Sequence, residues 1–285
     1  VKLQKVAILG AGTMGSGIAG WFTQAGCIVE LADANIEQAE RAIDNLHKGW
    51  DKLLERGKFS EKEVKSFKEN ISVTEEFSKD CDLLLEAIIE DLPIKIEVFQ
   101  KFDRHFDEKT IFASNTSSIP IDAMAKELTE KRRSQFLGLH FFNPAQIMKL
   151  VEIIKGHWTT DDLTSDLKEW FSNAGKKPAL CQDGPGFIVN RLARNFYGES
   201  LRLAGTENKE KIKEIDHVLK ECGGFRMGPF ELMDLIGIDI NYAVTESVWK
   251  SFYHEPRFAP HALQRKMVTS GRLGRKTKRG FYDYE

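Results

Sequence analysis

The sequence predicts an α/β fold in two parts: a mostly parallel sheet covered by helices, then an all-helical remainder. Three observations carry that prediction. Short apolar strands alternate with helical segments through the first part. A glycine-rich turn, GAGTMG, stands directly between the first strand and the first helix. After DGPG at 183–186 the strand-like segments stop and helical ones take over, so the boundary falls between a 1–182 domain and a 183–285 domain.

KVAIL at 5–9 is the first strand, and Gly10, Gly12 and Gly15 follow it at the start of a helix that ends before Gly26. CIVELAD is the second strand, and its last residue, Asp33, lies 18 residues after Gly15. Strand, G-x-G-x-x-G, helix, then an acid closing the next strand together make a Rossmann-like dinucleotide-binding unit. Gly10 permits the tight turn, Gly12 lets the backbone approach a pyrophosphate, and Gly15 lets helix and strand pack. The helix N-terminus at Thr13 and Met14 offers N–H groups to phosphate oxygens. Asp33 can accept from the ribose hydroxyls and repel a 2'-phosphate, while Ala34 and Asn35 supply no cationic clamp, which favours NAD over NADP.

Residues 47–70 mix both charge signs and read as two solvated helices joined near Gly57, with Ser60 as N-cap and Glu63 as its capping-box partner. NISVT at 70–74 and DLLLEAI at 82–88 read as strands with a short acidic helix between them. Pro93 opens the next helix, TIFASN at 110–115 is a strand, and Pro120 begins the helix after the polar turn Thr116–Ser118. Glu90 and Asn115 lie just past strand ends, where cofactor contacts in such sheets gather.

FLGLHFF at 136–142 is an extended apolar segment carrying His140, and MKLVEII at 148–154 is another carrying Glu152 between Val151 and Ile153. A carboxylate in that setting needs a partner, and His140, 12 residues earlier across a short loop, can provide it. Such a pair suits removal of a hydroxyl proton during hydride transfer, with His140 as general base and Glu152 holding its tautomer. Asn143 and Ser117 can bond the same substrate oxygen; each is equally at home as an ordinary turn residue. The other histidines form no metal motif.

Lys176–Cys181 reads as the last strand. The helical part begins with FIVNRLARNFYGESLRLAG, apolar on more than one side, and Asn190 sits early in it, placed to face the ligand crevice or open solvent. Its spare apolar surface suits a substrate lid, a homodimer interface, or both. The basic, aromatic tail GRKTKRGFYDYE reads as a terminal packing segment.

Composition bounds the partners. Lys+Arg 41 against Asp+Glu 43 leaves a net charge of -2, which gives no whole-chain pull toward nucleic acid or an anionic membrane. No apolar run approaches the ~18 residues of a membrane span. Cys27, Cys81, Cys181 and Cys222 are scattered, and reduced, buried thiols are expected. The first strand starts close to Val1, which leaves no targeting segment within these residues. A cytoplasmic protein is the expectation, or a mitochondrial-matrix one if such a segment has been removed.

GAGTMG, EAIIED, SNTSS, HFFNPAQIMKLVEII, DGPGFIVNR, MGPFELMDLIGID and LGRKTKRGFYDYE together resemble the 3-hydroxyacyl-CoA dehydrogenase family over almost the whole chain, nearest its short bacterial 3-hydroxybutyryl-CoA members. The resemblance implies NAD-linked oxidation of an L-3-hydroxyacyl-CoA to the 3-ketoacyl-CoA, a place in fatty-acid metabolism, and dimerisation through the helical domain. It assigns His140 as base, Glu152 as its carboxylate partner, and Ser117, Asn143 and Asn190 to substrate and nicotinamide. Gly10, Gly12, Gly15 and Asp33 match the dinucleotide loop, and Glu90, Lys95 and Asn115 further cofactor-side positions. It also makes Lys48, Lys52, Lys58 and Lys62 loose candidates for the CoA phosphates. Met14, Phe142, Ile147 and Met148 are candidates for shaping an acyl pocket. The competing readings are a dehydrogenase of a free hydroxy acid or sugar acid, and a non-catalytic NAD-binding structural protein.

Overall fold

The computed structural model describes residues 1–285, which divide into two compact units, Val1–Gly184 and Pro185–Glu285. The first unit holds eight strands: β1 (Lys5–Leu9), β2 (Ile28–Ala32), β3 (Ile71–Val73), β4 (Leu83–Glu86), β5 (Ile111–Ser114), β6 (Phe136–Phe141), β7 (Leu150–Lys155) and β8 (Lys177–Gln182). They form one sheet in the order β3-β2-β1-β4-β5-β6-β7-β8. Every neighbouring pair is parallel except β6 and β7, which run antiparallel. Residues of β4, β5 and β6 are buried at every position, as a sheet covered on both faces requires. The strand order reverses between β1 and β4, so the carboxyl ends of those strands open a crevice at the glycine-rich turn.

Seven helices cover this sheet: α1 (Thr13–Gln24), α2 (Ile36–Glu55), α3 (Glu61–Glu69), α4 (Leu92–Asp103), α5 (Ile121–Ala125), α6 (Glu130–Ser134) and α7 (Asp161–Asn173). Helix α1 is anchored by its aromatic far end. Trp21 stacks on Phe171 at 5.5 Å and Phe22 on Trp170 at 5.7 Å, which fixes the direction in which its N-terminus points. The turn between α2 and α3 forms at Gly57, in the left-handed region at φ 65, and the Ser60–Glu63 capping box starts α3 as expected.

One expected element is absent. Residues 75–80 form turns rather than a short acidic helix. Six residues are too few to nucleate a helix unaided, and the Glu30 carboxylate captures the segment by accepting from the Ser78 amide and hydroxyl at 2.8 and 2.5 Å. The segment's one large apolar side chain, Phe77, is buried against Phe102 and Phe106.

The second unit contains α8 (Val189–Ala204), α9 (Lys209–Glu221), α10 (Pro229–Ile236), α11 (Ile238–Ser251) and α12 (Ala262–Thr269), with isolated β-bridges as its only extended pairing. Its core gathers Tyr197, Leu201, Ile212, Phe230, Met233, Met267 and Phe281. Two buried carboxylates staple the C-terminal tail to this core. Asp234 accepts from the Phe281 and Tyr282 amides and the Tyr284 hydroxyl, and Asp216 from the Phe230 and Glu231 amides and the Tyr282 hydroxyl. Burial raises both carboxyls above the ordinary range, so each is held against a desolvation cost. The aromatic tail is thus a packing segment.

All four cysteines are free, but they are not all buried. Cys27 and Cys81 are, Cys181 is half-buried, and Cys222 is exposed just beyond the end of α9. No helix is long and apolar enough to cross a membrane.

Candidate active site

The reversal of β7 creates the central feature of the first unit. His140 on β6 and Glu152 on β7 are directly opposed in the antiparallel register, and their side chains meet at 2.6 Å between Nδ1 and Oε2. Both are buried, Glu152 completely and His140 to 5% exposure. A carboxylate only accepts, so Nδ1 carries a proton toward it, and in the neutral imidazole Nε2 then presents its lone pair. Nε2 stands 3.0 Å from the Ser117 hydroxyl, within hydrogen-bond distance, and the hydroxyl donates when the imidazole is neutral. The Phe142 ring lies 4.6 Å from the imidazole and shields one side of it.

Ser117 is itself held by a chain of charges at the carboxyl ends of β4 and β5. Its amide donates to Glu90 Oε1 at 3.0 Å, and the same oxygen takes the Thr116 hydroxyl, the Ser118 amide and the Ser118 hydroxyl. Burial pushes the Glu90 carboxyl up. The Thr116 hydroxyl, the Lys95 ammonium and the Ser117 amide outweigh that and hold it below the usual carboxylate range. Lys95 is 1% exposed, with its ammonium 2.5 Å from Glu86 and 3.4 Å from Glu90. Glu86, fully buried, also accepts from the Ser114 hydroxyl at 2.6 Å and the Ile88 amide at 2.8 Å. Asn115 accepts the Phe141 amide at 2.8 Å, tying the end of β5 to the residue after His140. Glu86 was not singled out in the sequence, although an acid closing the apolar run DLLLE carries the same signal that marks Glu152.

At the first strand's end, Gly10 takes φ 104 and Gly15 packs so tightly that a Cβ there would collide with the Gly10 carbonyl. Gly12 is different, because a Cβ on it would meet nothing within 4 Å. It caps α1 with no side-chain bond and no acid in the first turn, so the N–H groups of that turn face open space beside Thr13 and Met14. Asp33 is bound into this loop by the Ala11 amide at 2.7 Å, the Asn35 amide at 2.9 Å and Gln38 at 3.1 Å.

A cavity of about 640 Å³ opens beside the loop, lined by Gly12, Thr13 and Ser16, by Arg41, Asn45 and Trp50 of α2, and by Gln146 and Ile147. Lys48, Lys52, Lys58 and Lys62 are exposed on the α2–α3 excursion and none lines the cavity; its cation is Arg41. Trp50 is 1% exposed with an indole N–H that has no acceptor. Of the acyl-pocket candidates, Phe142 touches His140 and Ile147 lines this cavity, whereas Met14 packs on the core. Asn143 is exposed three residues beyond His140. Asn190 belongs to the second unit, in the first turn of α8, where its carbonyl accepts from Arg194 at 3.1 Å. No three His, Cys, Asp or Glu side chains converge in a way that would hold a metal ion.

Comparison with known proteins matches this architecture throughout. The family model described as 3-hydroxyacyl-CoA dehydrogenase, NAD binding domain, matches residues 5–184, and that for the family's C-terminal domain matches 186–284. The chain is 41% identical to 3-hydroxyadipyl-CoA dehydrogenase of Escherichia coli (strain K12), with 100% of the chain aligned over 60% of that protein's length. It is 38% identical to the probable 3-hydroxybutyryl-CoA dehydrogenase of Bacillus subtilis (strain 168), covering 100% of this chain and 99% of that one. The crystal structure of (S)-3-hydroxybutyryl-CoA dehydrogenase from Ralstonia eutropha superposes with a TM-score of 0.91 at 34% identity, covering 100% of both chains. The chain belongs to the 3-hydroxyacyl-CoA dehydrogenase family, carrying both its NAD-binding and its C-terminal domain.

Proposed function

We propose that this protein interconverts L-3-hydroxyacyl-CoA thioesters, 3-hydroxybutyryl-CoA among them, and 3-ketoacyl-CoA with NAD. The observation that carries the reading is the buried Glu152–His140–Ser117 line, which leaves Nε2 with a lone pair aimed at a hydroxyl. His140 takes the C3 hydroxyl proton on Nε2, and the resulting imidazolium is stabilised by Glu152 at Nδ1. Ser117 bonds the same oxygen and keeps it within reach of Nε2, while Phe142 excludes water from one flank. In the reverse direction the imidazolium returns the proton to the ketone oxygen. Asn143 and Asn190 are assigned to substrate through the family motifs HFFNP and DGPGFIVNR.

The residues at the first strand's end fit a dinucleotide. Gly12 leaves the space a Cβ would fill, and the uncapped turn at Thr13 and Met14 offers N–H groups to a pyrophosphate. Asp33 takes the ribose side, and Glu90, Lys95 and Asn115 hold the carboxyl ends of β4 and β5 in place. The bound cofactor supplies a hydride acceptor for the C3 hydrogen. The CoA end is assigned to the α2–α3 excursion. The helical unit exposes Leu192, Leu203, Phe225, Leu235, Ile236 and Ile240, apolar surface that suits a homodimer interface.

Acetoacetyl-CoA with NADH should be reduced with saturable kinetics, and free acetoacetate should not; a preference for the free acid would move the chain to the hydroxy-acid reading. NADPH should give a catalytic efficiency at least about tenfold lower, since the Asp33 carboxylate opposes an added phosphate. His140→Gln should cut kcat by about 10²–10⁴-fold while NADH affinity, read by fluorescence titration, stays close to wild type. An unchanged kcat removes His140 from the base role. Gly12→Ala should keep the wild-type melting temperature yet weaken NADH binding, whereas Gly15→Ala should lower both, because only the second collides with the fold itself. Sedimentation equilibrium should return twice the chain mass of 32.4 kDa, and a monomer mass would exclude the dimer.

A further inference from the structure

Lys176 stands out among the buried charges that this mechanism does not use. It is 6% exposed and has no carboxylate partner, since its ammonium donates instead to the carbonyls of Ala145 and Met148 at 2.5 and 2.6 Å. The Trp21 and Phe141 rings lie 4.7 and 5.4 Å from it, and burial pushes its pKa down to about 8. Burying an ammonium without a counter-ion is costly, so the contacts it makes have to matter to something.

What it grips is the connection between β6 and β7. That segment follows Phe141, runs over residues 142–149, and turns with the Ile147 and Met148 amides both bonded to the Pro144 carbonyl at 2.9 Å. On its other side it lies against α1. A Cβ on Gly17 would touch Ala145 at 3.4 Å, and one on Gly20 would sit 2.5 Å from Gln146. Gln146 and Ile147 also form part of the cavity wall facing Gly12 and Thr13. The same short segment therefore borders the catalytic strand and the dinucleotide helix, and Lys176 is the side chain that ties its carbonyls down.

We propose that Lys176 is a positioning residue for the reaction: its ammonium fixes the 142–149 connection, and through it the placement of Asn143 and of the cavity wall that Gln146 and Ile147 share with Gly12. This rests on the dehydrogenase reading above. A misplacement of about 1 Å in such a segment is enough to cost up to ~10²-fold in rate. Its two charge-assisted bonds, to the Ala145 and Met148 carbonyls, pin the segment on the side away from α1.

The test uses the full chain with Lys176→Met and Lys176→Arg, acetoacetyl-CoA and NADH, and hydrogen exchange of the peptide spanning 142–149. Lys176→Met should lose about tenfold or more in kcat, should exchange faster in that peptide, and should be partly rescued by Lys176→Arg. A kcat within about twofold of wild type, or unchanged exchange in a folded Lys176→Met protein, overturns the proposal. If Lys176→Met does not fold, Lys176→Gln decides on the same kcat and exchange readings, and wild-type values for both overturn the proposal. A wild type inert toward every acyl-CoA refutes the dehydrogenase reading, and the exchange measurements still decide whether Lys176 holds the segment.

Discussion

The register between β6 and β7 is the constraint on which the candidate chemistry depends. Side chains alternate faces along a strand, so a slip of one residue in this pairing would separate His140 from Glu152 and leave a completely buried carboxylate without its partner. The register is therefore enforced from both directions. Leu139 pairs with Ile153 and Phe141 with Val151, all buried, so the apolar pattern and the ionic pair demand the same alignment. A parallel β7 would have needed a long crossover after β6. The antiparallel turn lets a connection of eight residues, 142–149, bring acid and base together, and makes that connection part of the site.

Around that pair, polar groups are fixed by other fixed polar groups. Glu86 holds Lys95, Lys95 reaches Glu90, Glu90 gathers the amides and hydroxyls of residues 116–118, and Ser117 faces Nε2. Each member is satisfied by the next, which is the condition under which a buried polar network rigidifies a site instead of destabilising it. Lys95 and Asn115, expected as cofactor contacts, turn inward in this structure. Lys95 pairs with Glu86 and Glu90, and Asn115 accepts from the backbone amide of Phe141.

Much of this was legible in the sequence because it is written in local patterns. The glycine spacing, Asp33 at a strand end, and an acid flanked by Val151 and Ile153 each announce a physical need that few arrangements satisfy. The units divide within two residues of the point where the strand-like segments stop. What the sequence did not disclose depends on partners far apart in the chain. The helix expected at 75–80 yields to Glu30, 48 residues from Ser78, and no local propensity reports such a bond. Asp216 and Asp234 look like ordinary helix-surface acids until the tail supplies Tyr282 and Tyr284, 66 and 50 residues later. Lys176 reads as the first residue of the last strand; only the fold turns its ammonium inward onto Ala145 and Met148.

The glycine motif shows how one sequence signal can combine two separate physical requirements. Gly15 is demanded by the fold, since any side chain there strikes the Gly10 carbonyl whether or not a ligand is present. Gly12 is not, because its backbone angles, φ -69 and ψ -172, suit any residue and the space beside it is empty. Packing and backbone strain therefore give no reason for glycine at position 12. A reason appears only when something approaches the first turn of α1 more closely than a Cβ allows. That turn has N–H groups to offer, no side-chain cap competing for them and no acid to repel an anion. Gly12 thus speaks for the dinucleotide more directly than Gly15 does.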